Sequence, residues 1–82
     1  KASSQRHTEA MKALGYCYAN GTGTPRNYAT AANIFAKAAA SGDTEAAKLL
    51  VACYKYGGDY LAVNEAKAHY YADQYGLDYD MI

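Results

Sequence analysis

The chain has 82 residues, which sets a limit of one small domain with a single modest core. Eight basic residues balance eight acidic ones, so no net field draws the chain to nucleic acid or to an anionic membrane. No apolar run approaches the roughly 20 residues that cross a bilayer, so membrane insertion is not expected.

The chain begins at Lys1, not Met, and we expect something to have been trimmed upstream. A removed signal peptide, a removed tag and a cut from a longer protein are all open, and the compartment cannot be read. Ten tyrosines stand beside one Phe and no Trp, among abundant alanine. Alanine is the best helix former and lets helices approach closely. Tyrosine adds an apolar ring with a polar tip, suited to recognition or simply to packing between helices.

The first helix is predicted over about Thr8 to Asn20, with apolar residues stepping by three and four. Thr8 is a suitable N-cap, and Ser3 or Ser4 would start it earlier. Gly21 ends it, and Pro25 cannot continue it. The second helix is predicted over about Asn27 to Ala40, with Tyr28, Ala31, Ile34, Phe35, Ala38 and Ala39 on its inner face. Ser41-Gly42-Asp43 forms a joint: Gly42 suits the residue after a helix, and Asp43 the N-cap of the next.

The third helix, Thr44 to Tyr56, repeats the first. Ala10, Ala13, Leu14, Cys17, Tyr18 and Gly21 return thirty-six residues later as Ala46, Leu49, Leu50, Cys53, Tyr54 and Gly57. Such a period marks stacked structural repeats. Leu14 and Leu50 are expected to fill the core, and Tyr18 and Tyr54 to pack near the joint within each pair. Gly57-Gly58-Asp59 ends the third helix, and a fourth is predicted over about Val63 to Tyr75. Its register has a preferred solution and a rival. The preferred offset of thirty-seven sets Ala68, Tyr71, Ala72 and Tyr75 on Ala31, Ile34, Phe35 and Ala38, and preserves the apolar stripe. An offset of thirty-four sets Gly76 on Gly42. Residues 77–82 either fold back as a cap or continue into further sequence.

The expected fold is all-α: an α-solenoid of two antiparallel helix pairs, repeat one at about 8–43 and repeat two at about 44–76, in a single domain over 1–82. Two pairs fall below the usual minimum of three. The chain is then a piece of a longer solenoid, or is completed by a partner, a swapped copy or its own tail.

Ala10, Leu14, Gly15, Tyr18, Gly21 and Gly23, followed by Ala31, Phe35, Lys37, Ala38, Ala39 and Gly42, make a pattern similar to the Sel-one-like repeat. The likeness spans about residues 8 to 76. In the second copy Val51 replaces the first glycine, Asp59 the loop glycine, and Tyr75-Gly76 the Ala-Ala pair. The resemblance implies a relative of tetratricopeptide repeats, stacked as a right-handed superhelix and acting as an adaptor or scaffold. Some cysteine-rich relatives are linked to penicillin binding or β-lactamase activity. This chain lacks their cysteine pattern.

In such stacks the first helix of each pair lines a concave groove. The resemblance therefore implies a protein- or peptide-binding face at Glu9, Lys12, Tyr16, Asn20, Glu45, Lys48, Lys55 and Tyr56, with Ala52 among them. Lys12 and Lys48 are repeat-equivalent and are expected in one groove. They resemble carboxylate-clamp lysines, but Tyr16 and Ala52 stand where that clamp has asparagines. The plain alternative is that Glu9–Lys12 and Glu45–Lys48 are solvated pairs within one helix, contributing about 0.2–0.5 kcal/mol each.

No catalytic set is visible, and no cofactor is expected. His7 is expected at a helix start and His69 on the exposed or partly covered side of the fourth helix, neither in a metal-ligand pattern. Gly21-Thr22-Gly23-Thr24 lacks the Gly-Lys-Ser/Thr ending of a phosphate loop and reads as a turn. Cys17 and Cys53 occupy equivalent slots one helix-pair layer apart, too far for a disulfide, and read as buried hydrophobes. The leading expectation is a non-catalytic interaction module. The alternatives are a self-associating or capping module, and, third, a small hydrolase like the cysteine-rich relatives.

Overall fold

A computed structural model describes residues 2–58 and 60–82. Lys1 and Asp59 lie outside the described residues, including the expected role of Asp59 in the loop after the third helix. Four helices follow in order: α1 (Ala2–Asn20), α2 (Tyr28–Ala40), α3 (Thr44–Tyr56) and α4 (Glu65–Gln74). A short 3-10 turn, Tyr79–Met81, closes the chain. Each helix packs on the next, α1 on α2, α2 on α3 and α3 on α4. The result is a slab of 33 × 30 × 16 Å, all-α, in two helical hairpins.

Local chemistry explains most helix ends. The Asn27 side chain accepts the Thr30 N–H at 3.1 Å, and Asp43 accepts that of Ala46 at 2.9 Å. Asn64 does the same for Lys67 at 3.0 Å, which starts α4 at Glu65, two residues after the expected Val63. Each side chain satisfies an N–H that the helix start leaves without a partner. Gly42 takes a φ of +101°, the left-handed joint that glycine supplies without strain. The first helix departs from expectation. It begins at Ala2, so Thr8 is a buried mid-helix residue and not an N-cap. His7 likewise lies within the helix, exposed. Nothing between Ala2 and His7 breaks a helix, so α1 runs on past the repeat boundary.

Both registers of α4 hold, at opposite ends. Asn27 N–H donates to Tyr18 O, and Asn64 N–H to Tyr54 O, each at 2.8 Å. The two asparagines are thirty-seven apart and the two tyrosines thirty-six, so the extra residue lies in the loop. That loop is drawn into a tight bridge in which Gly58 and Leu61 exchange N–H···O bonds. At the far end, Leu77 N–H donates to Ala72 O as Asp43 N–H does to Ala38 O, an offset of thirty-four. With 10 residues against 13, α4 is about one turn shorter than α2.

The core is a seam of small side chains around one large ring. Ala31, Ala32 and Phe35 of α2 meet Leu50 and Cys53 of α3. Ala38 and Ala39 meet Ala46 and Ala47. Val51 of α3 meets Ala68 and Ala72 of α4. Gly15 of α1 lies so close to Phe35 that a Cβ there would stand 2.6 Å from the ring. One core expectation fails. Leu50 is 1% exposed, but its equivalent Leu14 is 49% exposed. The difference is the neighbour: α2 covers Leu50, whereas α1 has no helix on that side among the described residues. Both cysteines are free.

Candidate functional site

The residues expected to line a groove divide into three groups. The first surrounds Lys12, which is only 8% exposed. Its Nζ lies 3.1 Å from Asp43 Oδ2, 3.1 Å from Glu45 Oε1 and 3.4 Å from Glu9 Oε2. The Tyr16 hydroxyl donates to the other Glu45 oxygen at 3.2 Å. Lys12 therefore ties α1 to the start of α3. Asp43, read from sequence only as a cap, holds both its own helix and this cation. Glu45 pairs with Lys12 across the repeats, and no ion pair joins it to Lys48 among the described residues.

The charges in this cluster reinforce one another. Hydrogen bonds to Asp43 and then Glu45 hold the Lys12 ammonium above its usual range. The Ala46 N–H chiefly, and Lys12 after it, hold Asp43 below the usual carboxylate range. Hydrogen bonds from Lys12 and then Tyr16 lower Glu45. Burial, followed by the Glu45 contact, raises the Tyr16 phenol, which stays a donor at neutral pH. The lowered carboxylates stabilise the fold above their unfolded values of about 4, and this is lost as pH falls through their lower folded values. The raised lysine contributes below its unfolded value of about 10.4, and this is lost as pH rises through its folded value. In a Lys12→Met variant, Glu45 is expected to titrate at higher pH than in the native chain. Asp43 should shift less, because the Ala46 N–H remains. Carboxyl carbon NMR titration measures both, and an unmoved Glu45 would show that the cation is not what holds it.

The second group encloses a hollow of about 290 Å³ between α1 and α3. Tyr16, Asn20 and Tyr56 rim it. Phe35, Leu49 and Cys53, read from sequence as core, form its apolar wall. Tyr16 meets Phe35 edge-on with ring centroids 5.7 Å apart, so the rim is braced by the core. Tyr56 is 64% exposed. Burial pushes the Cys53 thiol up to about 11, which keeps it protonated and unreactive near neutrality.

The third group faces residues 77–82, which fold back beside α3 and α4. Lys55 Nζ donates to the main-chain oxygens of Tyr79 and Ile82, each at 3.0 Å. The Tyr56 hydroxyl donates to the same Ile82 oxygen at 2.6 Å. Lys48 and Ala52 line a second hollow of about 530 Å³, closed on its far side by Leu77, Met81 and Ile82. Leu49 and Ala52 border both hollows. The structure thus gathers Tyr16, Asn20 and Tyr56 at one hollow, turns Lys55 and Tyr56 toward the tail, and leaves Lys48 exposed at the second hollow. Lys12, Glu9 and Glu45 form the ion cluster at one end.

Among the described residues, no three His, Cys, Asp or Glu side chains are placed to hold a metal. No described helix is long and apolar enough to cross a membrane.

No curated protein and no solved structure matches the chain. The family model of the Sel1 repeat matches twice, at residues 8–43 and 45–74. Those two matches coincide with the two hairpins, α1–α2 and α3–α4. Sel1 repeats are tetratricopeptide-like, and proteins built from them are in general non-catalytic protein-interaction modules. With two such repeats filling most of its length, the chain belongs to the Sel1 repeat family.

Proposed function

We propose that this chain is a non-catalytic adaptor module that takes an extended peptide segment of a partner protein along the face formed by α1 and α3. The observation that carries this is the hollow between the two helices. It is apolar in its wall and aromatic at its rim, with the acidic groups around Lys12 on one side and Lys48 at the adjoining hollow on the other. Apolar anchors in a pocket with polar surroundings are the usual source of binding energy at protein interfaces. Glu9, Asp43 and Glu45 outnumber Lys12, so a basic residue of the partner fits that end.

Lys12 is a poor site for testing this, because its removal disturbs the fold as well as the surface. Ala52→Arg is better: Ala52 is half-buried beside both hollows, and a long cationic side chain there fills the space a guest needs. In affinity capture with baits of equal helicity, the native chain should retain a partner that Ala52→Arg loses at least tenfold. Retention of the same partner by both would remove binding from this face.

A second reading rests on Leu14. Its 49% exposure, beside exposed Ala10 and Ala13, presents on α1 the apolar face that α2 covers on α3. Self-association or docking of further repeats would cover it. A sedimentation mass that rises with concentration, and falls back in Leu14→Glu, would favour that reading.

A further inference from the structure

Residues 77–82 are held to the body of the protein by contacts that do not need their covalent attachment. Asp78 caps the 3-10 turn by accepting the Asp80 N–H at 3.1 Å. With three residues per turn, positions i and i+3 eclipse. Tyr79 and Ile82 accordingly pack together against the cluster of Val51, Ala68 and Ala72. The Tyr79 ring stacks on His69 with centroids 3.7 Å apart, and Lys55 Nζ lies 4.5 Å from its centre on a cation–π contact. Three hydrogen bonds from Lys55 and Tyr56 reach the oxygens of Tyr79 and Ile82. Between these two anchors, Asp80 is exposed and Met81 is 81% exposed. Recognition thus reads an aromatic ring, an aliphatic side chain three positions on, and two main-chain oxygens. The intervening side chains go unread.

Tyr56, which holds the Ile82 oxygen, also rims the first hollow, and Ile82 and Met81 wall the second together with Lys48, Leu49 and Ala52 of α3. The segment therefore lies where a groove-bound peptide would continue past Ala52. It leaves α4 through Gly76, which takes a φ of +67°. We infer that the α3–α4 end of the groove is a peptide site now filled in cis by residues 77–82. The partner that fits it is a peptide carrying an aromatic residue and, three residues later, an aliphatic one, folded as a single 3-10 turn. Such a partner competes with the chain's own segment, which acts as a strap. This deepens the groove reading and rests on it.

The test uses the full chain and the peptide Leu-Asp-Tyr-Asp-Met-Ile-amide, carrying fluorescein on its N-terminal amine, followed by anisotropy. A site occupied in cis binds in trans only in proportion to its open fraction. Asp78→Ala, which loosens the turn without touching the core, should bind the peptide at least threefold more tightly than the native chain. Tyr79→Ala/Ile82→Ala should bind it at least tenfold more tightly. Adding Lys55→Met to Asp78→Ala should weaken binding at least tenfold, and a peptide with Ala at both anchor positions should not bind. If neither strap variant gains affinity while keeping native helicity, the proposal is overturned. Should the double variant lose helicity, Asp78→Ala decides alone. Failure here beside a captured partner that depends on Ala52 would remove the strap and leave the groove reading standing. Strap-dependent binding beside a partner indifferent to Ala52→Arg would confine recognition to this end.

Discussion

Phe35→Ala is expected to cost about 3–5 kcal/mol, the range for deleting a buried aromatic ring. For a chain of this length total stability is on the order of 4–12 kcal/mol, so one substitution removes a large share of it. Phe35 is one of the largest fully buried side chains and the only phenylalanine. It touches Tyr16 on α1 and clusters with Leu50 and Cys53 on α3. The ring therefore ties the two hairpins together, and its neighbours in the seam are mostly alanines too short to close the gap. In stacked repeats stability is roughly a sum of repeat terms and nearest-neighbour terms. Phe35→Ala weakens both at once, so its urea midpoint should drop sharply. Tyr70→Ala, on the exposed side of α4, should stay within about 0.5 kcal/mol of the native chain. A loss below about 1.5 kcal/mol for Phe35→Ala would mean that the hairpins are held by something other than this ring.

The fold was legible in the sequence where its causes are local. Gly42 and Asp43 act through their own backbone and side chain, and the thirty-six-residue period repeats the same packing slots. Asn27 was read as lying at the second helix start, where it serves as the cap. The failures lie where the cause is a neighbour distant in sequence. Leu14 and Leu50 are identical by pattern and opposite in burial, because burial depends on which helix lies alongside. Lys12 was read as a groove lysine or, alternatively, as the partner of Glu9 in its own helix. The Glu9 pair is present, but Lys12 is buried and also reaches Asp43, thirty-one positions on, brought near by stacking. The site divides in the same way. Tyr16, Asn20 and Tyr56 were picked because the resemblance sets the first helix of each pair on a groove, and the helix period then places them off the packing stripe. The hollow's wall of Phe35, Leu49 and Cys53 was read only as core, since a residue can belong to both a core and a cavity lining. The tail carried a hint in its mixture of acidic and apolar residues, which left a fold-back cap open. Its contacts with Lys55 and Tyr56 are between residues 24 to 27 positions apart, which no local signal announces.

The apparent degeneracy of the second repeat leads to the other large expected effect. Gly15 in repeat one faces Phe35, and its counterpart Val51 in repeat two clusters with Ala72, the counterpart of Phe35 at an offset of thirty-seven. Small against large in one repeat becomes medium against small in the other. The two substitutions compensate across one helix contact. Gly15→Val alone should therefore destabilise, by about 1–3 kcal/mol, because the added carbons meet a ring already 2.6 Å from an ideal Cβ. On an open helix surface the same change would be neutral or mildly favourable, since glycine is the poorer helix former by a few tenths of a kcal/mol. The sign of the result thus reports the contact. In Gly15→Val/Phe35→Ala the valine enters space the ring has left, as Val51 does beside Ala72. The double variant should lose at least about 1 kcal/mol less than the sum of the two single losses, the coupling expected of residues that share one volume. Urea denaturation of the four chains measures it. Simple additivity would mean that Gly15 and Phe35 do not compete for space, and that the exchange seen in the second repeat needs another cause.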